Sequence, residues 1–254
     1  MSDSDNYLKK KKLFSRLLTI YGRNTVYEAL CMPGVKAERL HFASSNKKAK
    51  VLDDIEHLAR EQGADVLYHD KGALSRISKN AKQDQGVALD IRTEGLAEFD
   101  ANTLEAGGEY IALDRITNPQ NLGMIIRSVC ASPIKALILP RKGCAKLDAL
   151  VIKASAGSLF RCPILRCDSL TQALSQAQQE GARIAGLDLK ATTSFSAIDD
   201  QHTRIFVLGN ESEGIGKEVQ ALCDERLRID MARGVESLNV AVTASLIALR
   251  KQLT

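Results

Sequence analysis

The chain has 254 residues, of which 44% are hydrophobic, a composition that excludes a disordered or fibrous protein and predicts a packed globular core. Charges interrupt every long apolar stretch and the N-terminus lacks an apolar segment, so we predict no membrane span, no signal peptide and a cytoplasmic location. Cysteines and histidines are scattered without ligand spacing, which predicts neither a metal site nor a disulfide framework.

The formal net charge of +4 is concentrated in the first part of the chain. Residues 1–95 carry 17 Lys and Arg against 13 Asp and Glu, whereas residues 96–254 carry 18 of each sign. A basic surface of this kind suits contact with a polyanion such as RNA, although a solvated lysine-rich face explains the charge equally well. Charge alone therefore leaves RNA binding as one of two alternatives.

The N-terminal residues predict a basic arm followed by a small domain. Residues 1–12 are polar and aperiodic, which predicts a disordered arm ending in four lysines. Residues 13–95 then alternate between helical and strand patterns, as in a small α/β sandwich. The predicted elements are helix 25–30, strand 39–43, helix 50–62, strand 65–68, helix 71–78 and strand 86–91.

A second domain is predicted after a linker. Residues 96–108 show no regular spacing of apolar residues and end in two glycines, which is typical of a linker. Residues 109–254 alternate strands and helices again, and we predict a parallel sheet with right-handed crossovers. The predicted strands are 110–115, 136–139, 163–166, 183–187, 204–208 and 226–231; the predicted helices are 124–131, 149–157, 171–179, 217–223 and 237–254. Ligands of such sheets bind at the carboxyl ends of the strands.

The first of three polar loops at predicted strand ends spans residues 113–127. Pro119 and Gly123 are expected to shape a turn, with Asn121 near a helix start and Arg127 about two turns along that helix. An arginine there presents a planar pair of donors to a phosphate or carboxylate. Taken alone, however, a surface arginine is usually the partner in an ion pair.

The second polar loop, residues 206–216, follows an apolar strand and combines three glycines with Glu211 and Glu213. Ile215 stands where a Walker loop needs lysine, and the glycine spacing of a dinucleotide loop is absent. The two carboxylates also disfavour direct phosphate binding. We therefore predict tight backbone turns beside a small ligand, with an ordinary glycine-rich turn as the alternative.

The third polar loop, residues 229–240, leads into a C-terminal helix. Ser237 is predicted to cap that helix, and Asn239 lies at the same helix start, where unpaired N–H groups commonly hold polar ligand groups. An apolar stripe at helical spacing then runs to the end of the chain along one helix face. The stripe consists of Leu238, Val242, Leu246, Leu249 and Leu253.

Together these loops closely resemble the three motifs of the SpoU (TrmH-like) family of RNA ribose 2′-O-methyltransferases. The first motif appears as Asp114, Asn118-Pro119, Asn121, Gly123 and Arg127. The second appears as Leu208-Gly209-Asn210-Glu211 with Gly214, and the third as Ile229, Met231, Gly234 and Glu236 to Val240. Asn118 departs from the family pattern, which usually has aspartate before the proline. The resemblance covers residues 109–254, and residues 19–92 are similar to the L30e-like substrate-binding domain of rRNA guanosine methyltransferases.

The resemblance implies a fold, a cofactor and an assembly. The fold is an α/β parallel-sheet domain with a deep trefoil knot, of the SPOUT type, preceded by the L30e-like domain. The implied assembly is a homodimer with the active site at its interface, and the implied cofactor is S-adenosyl-L-methionine, without metal. The residues that match cofactor-binding positions are Gly209, Ile229, Leu238 and Met231.

The implied reaction is methyl transfer to a ribose 2′-oxygen of rRNA, with guanosine favoured, or of tRNA. Arg127 matches the family arginine that assists proton loss, either as a base helped by an RNA phosphate or by steering the oxygen. The residues that match positions orienting the ribose, the arginine or the loop are Asn121, Glu211, Ser237 and Asn239. The alternative is a non-catalytic RNA-binding protein that retains this fold.

Overall fold

The structure is a computed structural model, and it describes residues 17–32, 35–92, 95–198 and 202–253. The predicted arm, residues 1–12, lies outside these ranges. Two sheets organise the described residues, one of four strands and one of eight. Within the same residues, every helix is too short or too polar to cross a membrane.

The four-stranded sheet lies in the N-terminal part of the chain. Its elements are β1 (Leu17–Tyr21), α1 (Arg23–Leu30), β2 (Lys36–Ala43), α2 (Lys50–Glu61), β3 (Asp65–His69), α3 (Lys71–Ser78) and β4 (Val87–Arg92). The strand order is β1-β4-β2-β3, in which β4 runs antiparallel to β1 and β2 while β3 runs parallel to β2. Helix α2 buries Leu52, Ile55 and Ala59 on one face, as an amphipathic helix does.

A chain of hydrogen-bonded polar side chains extends from the buried His41 and Asp90 on this sheet. His41 Nδ1 lies 3.0 Å from His69 Nε2, and His41 Nε2 lies 3.2 Å from Asp90 Oδ2. Asp90 also accepts a 2.6 Å hydrogen bond from the Thr19 hydroxyl and pairs with Arg39 at 2.8 Å. Burial, reinforced by the neighbouring His41, lowers the pKa of the His69 imidazole below its usual range. Folding therefore favours the neutral form of His69.

We expect the free energy of unfolding to fall as the pH drops below about 6.5, the ordinary pKa of histidine. Because folded His69 resists protonation, the unfolded state binds more protons; the stabilisation is complete above that pH and is lost as the pH falls through the folded pKa. Urea unfolding between about pH 5 and pH 8 measures this loss, which His69→Gln should reduce. His57→Gln, at an exposed site on α2, is the control, and an unchanged pH dependence in His69→Gln would contradict the assignment.

The eight-stranded sheet is parallel throughout, as predicted. Its strands are β5 (Leu96–Glu98), β6 (Glu109–Leu113), β7 (Ala136–Pro140), β8 (Ile164–Cys167), β9 (Arg183–Leu187), β10 (Thr193–Ser194), β11 (Arg204–Leu208) and β12 (Glu225–Arg228). Its helices are α4 (Pro119–Cys130), α5 (Ala149–Ala154), α6 (Leu170–Gln179), α7 (Lys217–Gln220) and α8 (Val240–Leu253). The order is β10-β12-β9-β11-β6-β7-β8-β5, which places fully buried β6, β7 and β11 side by side.

The predictions for residues 96–108 and for the start of the C-terminal helix differ from the structure. The segment predicted as a linker, residues 96–108, contains β5, which pairs in parallel with β8 from Leu96 to Glu98. A three-residue edge strand is too short to show an apolar period, so its sequence resembles a loop. The C-terminal helix begins at Val240 rather than at Ser237, because the side chain of Asn239 accepts the hydrogen bond from Ala241 N–H at 2.8 Å and caps the helix.

The apolar stripe of α8 is largely exposed in the single chain. Helix α8 packs against α4 through small residues such as Ala241 and Ala244, and the Ser128 and Ser245 hydroxyls lie 2.7 Å apart across this contact. The exposed fractions on the other face are 47% for Val242, 40% for Leu246 and 77% for Leu253. Met124 of α4 adds an exposed apolar side chain. Exposed apolar side chains grouped on packed helices are typical of interaction surfaces.

Candidate active site

The start of α4 fixes the polar residues of the first loop. Asn118 caps the helix, because its Oδ1 accepts hydrogen bonds from the N–H groups of Gln120 at 2.8 Å and Asn121 at 3.4 Å. Pro119 occupies the first helical position, where its missing donor costs nothing. The expected turn at Gly123 is wrong: Gly123 lies inside α4, and a Cβ there would come within 2.4 Å of Ala154 Cβ on α5. Its role is close helix packing.

A hydrogen-bonded network joins all three polar loops. The buried Asn121 side chain donates from Nδ2 to the Glu211 carboxylate of the second loop. Its Oδ1 accepts from Asn239 Nδ2 of the third loop at 3.1 Å. Because Asn239 also caps α8, this network fixes the start of that helix against the start of α4. The structure thus brings together Asn121, Glu211 and Asn239, three of the residues predicted for the site.

The second loop turns back sharply on itself beyond β11. Asn210 and Gly214 form an isolated antiparallel bridge, and the Gly214 N–H donates to the Asn210 carbonyl at 2.8 Å. A Cβ at Gly209 would lie 2.2 Å from the carbonyl carbon of Gly214 and 2.3 Å from the nitrogen of Ile215. Backbone packed this closely admits only glycine at position 209.

Arg115 and Asp114 anchor this loop from the first motif. The Arg115 guanidinium pairs with Glu213 and donates to the Gly214 carbonyl at 3.1 Å. Asp114 Oδ2 accepts from the Gly216 N–H at 2.6 Å, and Asn210 Nδ2 donates to the Arg115 carbonyl at 3.0 Å. Arg115 was not predicted from the sequence, where its signal is its position directly after Asp114 at the end of a buried strand.

A cavity of about 600 Å³ opens among the loops that follow β9, β11 and β12. All four residues predicted to bind a cofactor line it, namely Gly209, Ile229, Leu238 and Met231. Glu211 and Ser237 line it as well, and the aliphatic side chains of Leu187, Leu208 and Leu227 contribute to its wall. This volume and the mixture of apolar walls with a few polar groups are typical of a small-molecule site.

The loop after β9 contributes residues that sequence reasoning did not find. Leu187, Asp188 and Leu189 line the cavity, and Leu189 is 56% exposed. Asp188 is held by its own loop, since its Oδ1 accepts from the Lys190 N–H at 2.9 Å. A carboxylate at the carboxyl end of a parallel strand is the signal that would have found it.

Arg127 is exposed on α4, one turn beyond Met124. In the part of the chain that the structure describes, Arg127 is not among the residues lining the cavity and no carboxylate forms an ion pair with it. Among the described residues, Arg127 therefore does not form the surface ion pair that a lone arginine usually makes. The exposed guanidinium instead lies on the helix that carries Asn121, beside the exposed apolar surface of α4 and α8.

Metal ligation and thiol chemistry find little support in this site. Among residues 17–32, 35–92, 95–198 and 202–253, no group of three or more His, Cys, Asp and Glu side chains is arranged to hold a metal ion. The six cysteines are free thiols, and Cys31 is exposed. Burial raises the pKa of Cys167 and of Cys223 to about 11, which keeps both thiols protonated near neutral pH.

Comparison with known families divides the chain into two matched segments. Residues 109–249 match the model of the SpoU rRNA Methylase family. Residues 19–94 match the family model described as RNA 2′-O ribose methyltransferase substrate binding. The three polar loops all lie within the first of these segments.

Relatives and solved structures cover most of the chain. A protein of Mycolicibacterium vanbaalenii described as an uncharacterized tRNA/rRNA methyltransferase is 33% identical over 233 residues, which is 90% of this chain and 74% of that protein. A counterpart in Mycobacterium leprae is 34% identical, over 90% of this chain and 75% of its own length. The AdoMet-bound rRNA methyltransferase of Sinorhizobium meliloti superposes with a TM-score of 0.65 at 23% identity, covering 97% of this chain and 91% of that one.

Proposed function

Because the chain belongs to the SpoU rRNA methylase family, we propose that it transfers a methyl group from S-adenosyl-L-methionine to a ribose 2′-oxygen of RNA. The substrate is rRNA, with guanosine favoured, or tRNA. The observation that carries this proposal is the network of Glu211, Asn121 and Asn239, which joins the three motifs beside the cavity. Such a network preorganises polar groups around one reacting centre.

The cavity suits S-adenosyl-L-methionine in size and in chemistry. Its aliphatic walls offer an apolar slot for the adenine ring, and the close turn at Gly209 lets backbone groups approach the ligand without a side chain between them. Asp188 and Glu211 supply carboxylates for hydroxyl or ammonium groups. The bound cofactor supplies an electrophilic methyl group on a sulfonium. Gly209, Ile229, Leu238 and Met231 would hold it, and no metal is required.

The side chains around the cavity position the ribose and stabilise charge. A ribose hydroxyl is a weak nucleophile, so catalysis depends on its orientation and on stabilising the oxygen as its proton leaves. Arg127 keeps its own proton and donates hydrogen bonds to that oxygen or to the adjacent phosphate, and the proton of the 2′-hydroxyl passes to water. Asn121, Glu211, Ser237 and Asn239 orient the ribose and the loops around it.

The proposed fold details follow the family. We place the deep trefoil knot in the loops at 208–214 and 229–240, which line the cavity together with the loop after β9. Residues 13–95 form an L30e-like domain that reads the RNA substrate, residues 96–108 connect it to the catalytic domain, and residues 109–254 carry the reaction. The match of residues 19–94 to a substrate-binding family supports this division.

A homodimer completes the proposed site. The exposed side chains of Met124, Val242, Leu246 and Leu253 form an apolar surface on α4 and α8, and Arg127 lies next to it. A two-fold contact through this surface buries the apolar side chains. In this proposal Arg127 of one protomer acts at the cavity of its partner, and the absence of Arg127 from the lining of its own chain's cavity supports that role.

We expect Leu246→Glu to convert the dimer into a monomer and to lower turnover by at least about a hundredfold, because a carboxylate cannot be buried in that contact without a partner. Light scattering coupled to size exclusion gives the mass, and the methyl-transfer assay gives the rate. Leu150→Glu is the matched control, since Leu150 is 58% exposed on α5, a helix that carries none of the residues of this surface. A wild-type protein that is monomeric, or a dimeric Leu246→Glu, would contradict the proposed interface.

Methyl transfer itself is tested with the purified protein, tritiated S-adenosyl-L-methionine and unfractionated RNA. After digestion to nucleosides, the label should appear only in 2′-O-methylated nucleosides. Label on a base would contradict the proposed reaction. RNA binding without any transfer would favour the alternative, a non-catalytic RNA-binding protein with the same fold.

A further inference from the structure

The second loop forms a continuous part of the wall of the cofactor cavity, because residues 209–215 all line it. Glu211 is held in place by the hydrogen bond from the buried Asn121 side chain. The tip of the loop, residues 212–214, follows directly after Glu211 and is exposed to solvent. The position of this tip therefore determines how far the cavity is closed on that side.

Arg115 holds the tip from outside the cavity. Its guanidinium pairs with the Glu213 carboxylate, and its Nη2 donates a 3.1 Å hydrogen bond to the Gly214 carbonyl. Arg115 is absent from the described residues that line the cavity. Its contacts are therefore with the loop itself and not with the space that the cofactor fills.

The backbone of Arg115 is fixed in an uncommon conformation. Its φ of +59° lies in the left-handed region, which a long side chain rarely adopts. The Arg115 carbonyl accepts from Asn210 Nδ2 at 3.0 Å, and its Nε donates to Asp114 Oδ2 at 3.4 Å. A Cβ at Gly143 would lie 3.8 Å from Arg115 Cγ, so the loop after β7 runs close to the arginine stem. Contacts on several sides thus maintain a disfavoured backbone conformation, a feature that is concentrated at functional sites.

The contact between Arg115 and the tip is nevertheless easily broken. The exposed fractions of the paired side chains are 38% for Arg115 and 68% for Glu213. Water and salt screen an ion pair this exposed, so it contributes little stability. Gly214 has a φ of +68°, and a Cβ there would meet nothing within 4 Å, so the tip is loosely packed at this point. The Arg115 contacts therefore open more easily than the hydrogen bond between Asn121 and Glu211.

We propose that Arg115 is a positioning residue that holds the tip of the second loop closed over bound S-adenosyl-L-methionine, and that breaking its contact with Glu213 lets the cofactor exchange with the product S-adenosyl-L-homocysteine. The inference rests on the proposed function, since it assigns a role at the same site. Because Arg115 does not touch the reacting atoms, it should set how long the cofactor stays bound and not the rate of the chemical step.

The first test measures how fast the full-length protein loses tritiated S-adenosyl-L-methionine after an excess of unlabelled cofactor is added. Arg115→Gln should release the label at least about tenfold faster than the wild type, while its single-turnover rate at saturating cofactor stays within about threefold. Arg141→Gln is the matched control and should stay within about twofold, because the Arg141 side chain is also 38% exposed and pairs with Glu98 instead of the loop.

A double-mutant cycle tests whether the two side chains act together. Glu213→Gln alone should also speed release, by about fivefold, and Arg115→Gln/Glu213→Gln should be no faster than Arg115→Gln within about twofold. Multiplied effects in the double variant would overturn the inference, because each side chain would then act on the cofactor independently.

Salt separates the ion pair from a general structural effect. Release from the wild type should accelerate as KCl is raised, because salt screens the exposed pair, and release from Arg115→Gln should respond less steeply. Equal responses in the two proteins would contradict a role for this pair in holding the cofactor.

A glycine variant guards against effects of backbone strain. Arg115→Gly adopts the left-handed conformation freely, so it should unfold at a higher temperature than Arg115→Ala, which keeps the strain. Both variants lack the guanidinium and should release the cofactor equally fast. Slow release from Arg115→Gly would overturn the inference, since backbone strain and not the side chain would then account for the effect.

Cofactor release and methyl transfer are read separately, which distinguishes this inference from the proposed function. If the wild type methylates RNA and Arg115→Gln releases the cofactor at the wild-type rate, only the role of Arg115 is wrong. If the wild type binds the cofactor but transfers no methyl group to RNA, the proposed function fails, and the release rates still decide the role of Arg115.

Discussion

Arg127→Ala should lower the rate of methyl transfer by at least about a thousandfold, while the dissociation constant of S-adenosyl-L-methionine changes by less than about tenfold. The arginine acts on the oxygen as negative charge develops there, so its contribution is made in the transition state. It does not line the cofactor cavity of its own chain, so it adds little to ground-state binding of the cofactor. Single-turnover kinetics and calorimetric titration of the cofactor measure the two quantities.

Arg127→Lys separates charge from geometry, because lysine retains the charge without the planar donor pair. We expect it to recover only a small part of the lost rate. An exposed arginine elsewhere provides the matched control: Arg161→Ala, also at an exposed position in the same domain, should leave the rate within about twofold. A normal rate in Arg127→Ala would remove its assignment as the catalytic arginine.

The second large effect is expected at Gly209. Gly209→Ala should weaken cofactor binding by about a hundredfold or more, because the new Cβ would overlap the backbone of Gly214 and Ile215 at 2.2 and 2.3 Å. Neither backbone atom can rotate away, so the loop that forms one side of the cavity must move. Equilibrium titration with S-adenosyl-L-methionine measures the loss, and circular dichroism checks that the domain is folded.

Gly214→Ala in the same loop distinguishes crowding from backbone conformation. Gly214 has a φ of +68°, but a Cβ there meets nothing within 4 Å. Its cost is therefore limited to left-handed strain, about 1 kcal/mol or a loss of less than about tenfold in affinity. Equal affinity losses in the two variants would mean that crowding at Gly209 does not shape the cofactor site.

Mixing the two inactive variants tests whether the site is shared across a dimer. An Arg127→Ala chain keeps its cofactor loop, and a Gly209→Ala chain keeps its arginine. If Arg127 acts on the partner's cavity, mixed dimers contain one complete site, and an equal mixture should regain about a quarter of wild-type activity. If Arg127 acts within its own chain, the mixture stays inactive and the proposed interface role is wrong.

Many of the strands and helices could be predicted because their apolar patterns depend on local sequence and not on tertiary contacts. Parallel strands such as β9 and β11 consist of an arginine followed by four residues without a polar side chain, and their predicted limits match the structure. The start of α4 was predicted too late, at residue 124, because its first turn contains Pro119 and polar residues. The edge strand β5 was not predicted, because its three residues are held in a strand by pairing with β8 and show no strand pattern of their own.

The sequence predicted which residues belong to the site, but it did not predict the contacts between them. The loops carrying Asn121, Glu211 and Asn239 were found from their polar residues, but only the folded chain brings these side chains into one network. Asp188 was not found because a single carboxylate after a strand is a weak signal. Ser237 and Asn239 both suit a helix cap, and the loop geometry selects Asn239.

The apolar stripe of α8 was predicted from the sequence, but the surface that covers it was not. Helical periodicity identifies a stripe through Val242 and Leu246 but does not say what covers it, and within one chain α8 buries its alanine face instead. An apolar stripe at helical spacing predicts which side chains are buried, either within the chain or against a partner. The stripe is therefore evidence for a partner surface, which the proposed homodimer provides.

Ribose methylation in cells is measured by nucleoside mass spectrometry of rRNA and tRNA from cells lacking this protein, compared with the parent cells and with cells carrying Arg127→Ala. We expect one 2′-O-methylated nucleoside to disappear from one RNA class in both altered cells and to return when the wild-type protein is restored. Survival of every ribose methylation in both would contradict the assignment of this chain as an RNA ribose methyltransferase.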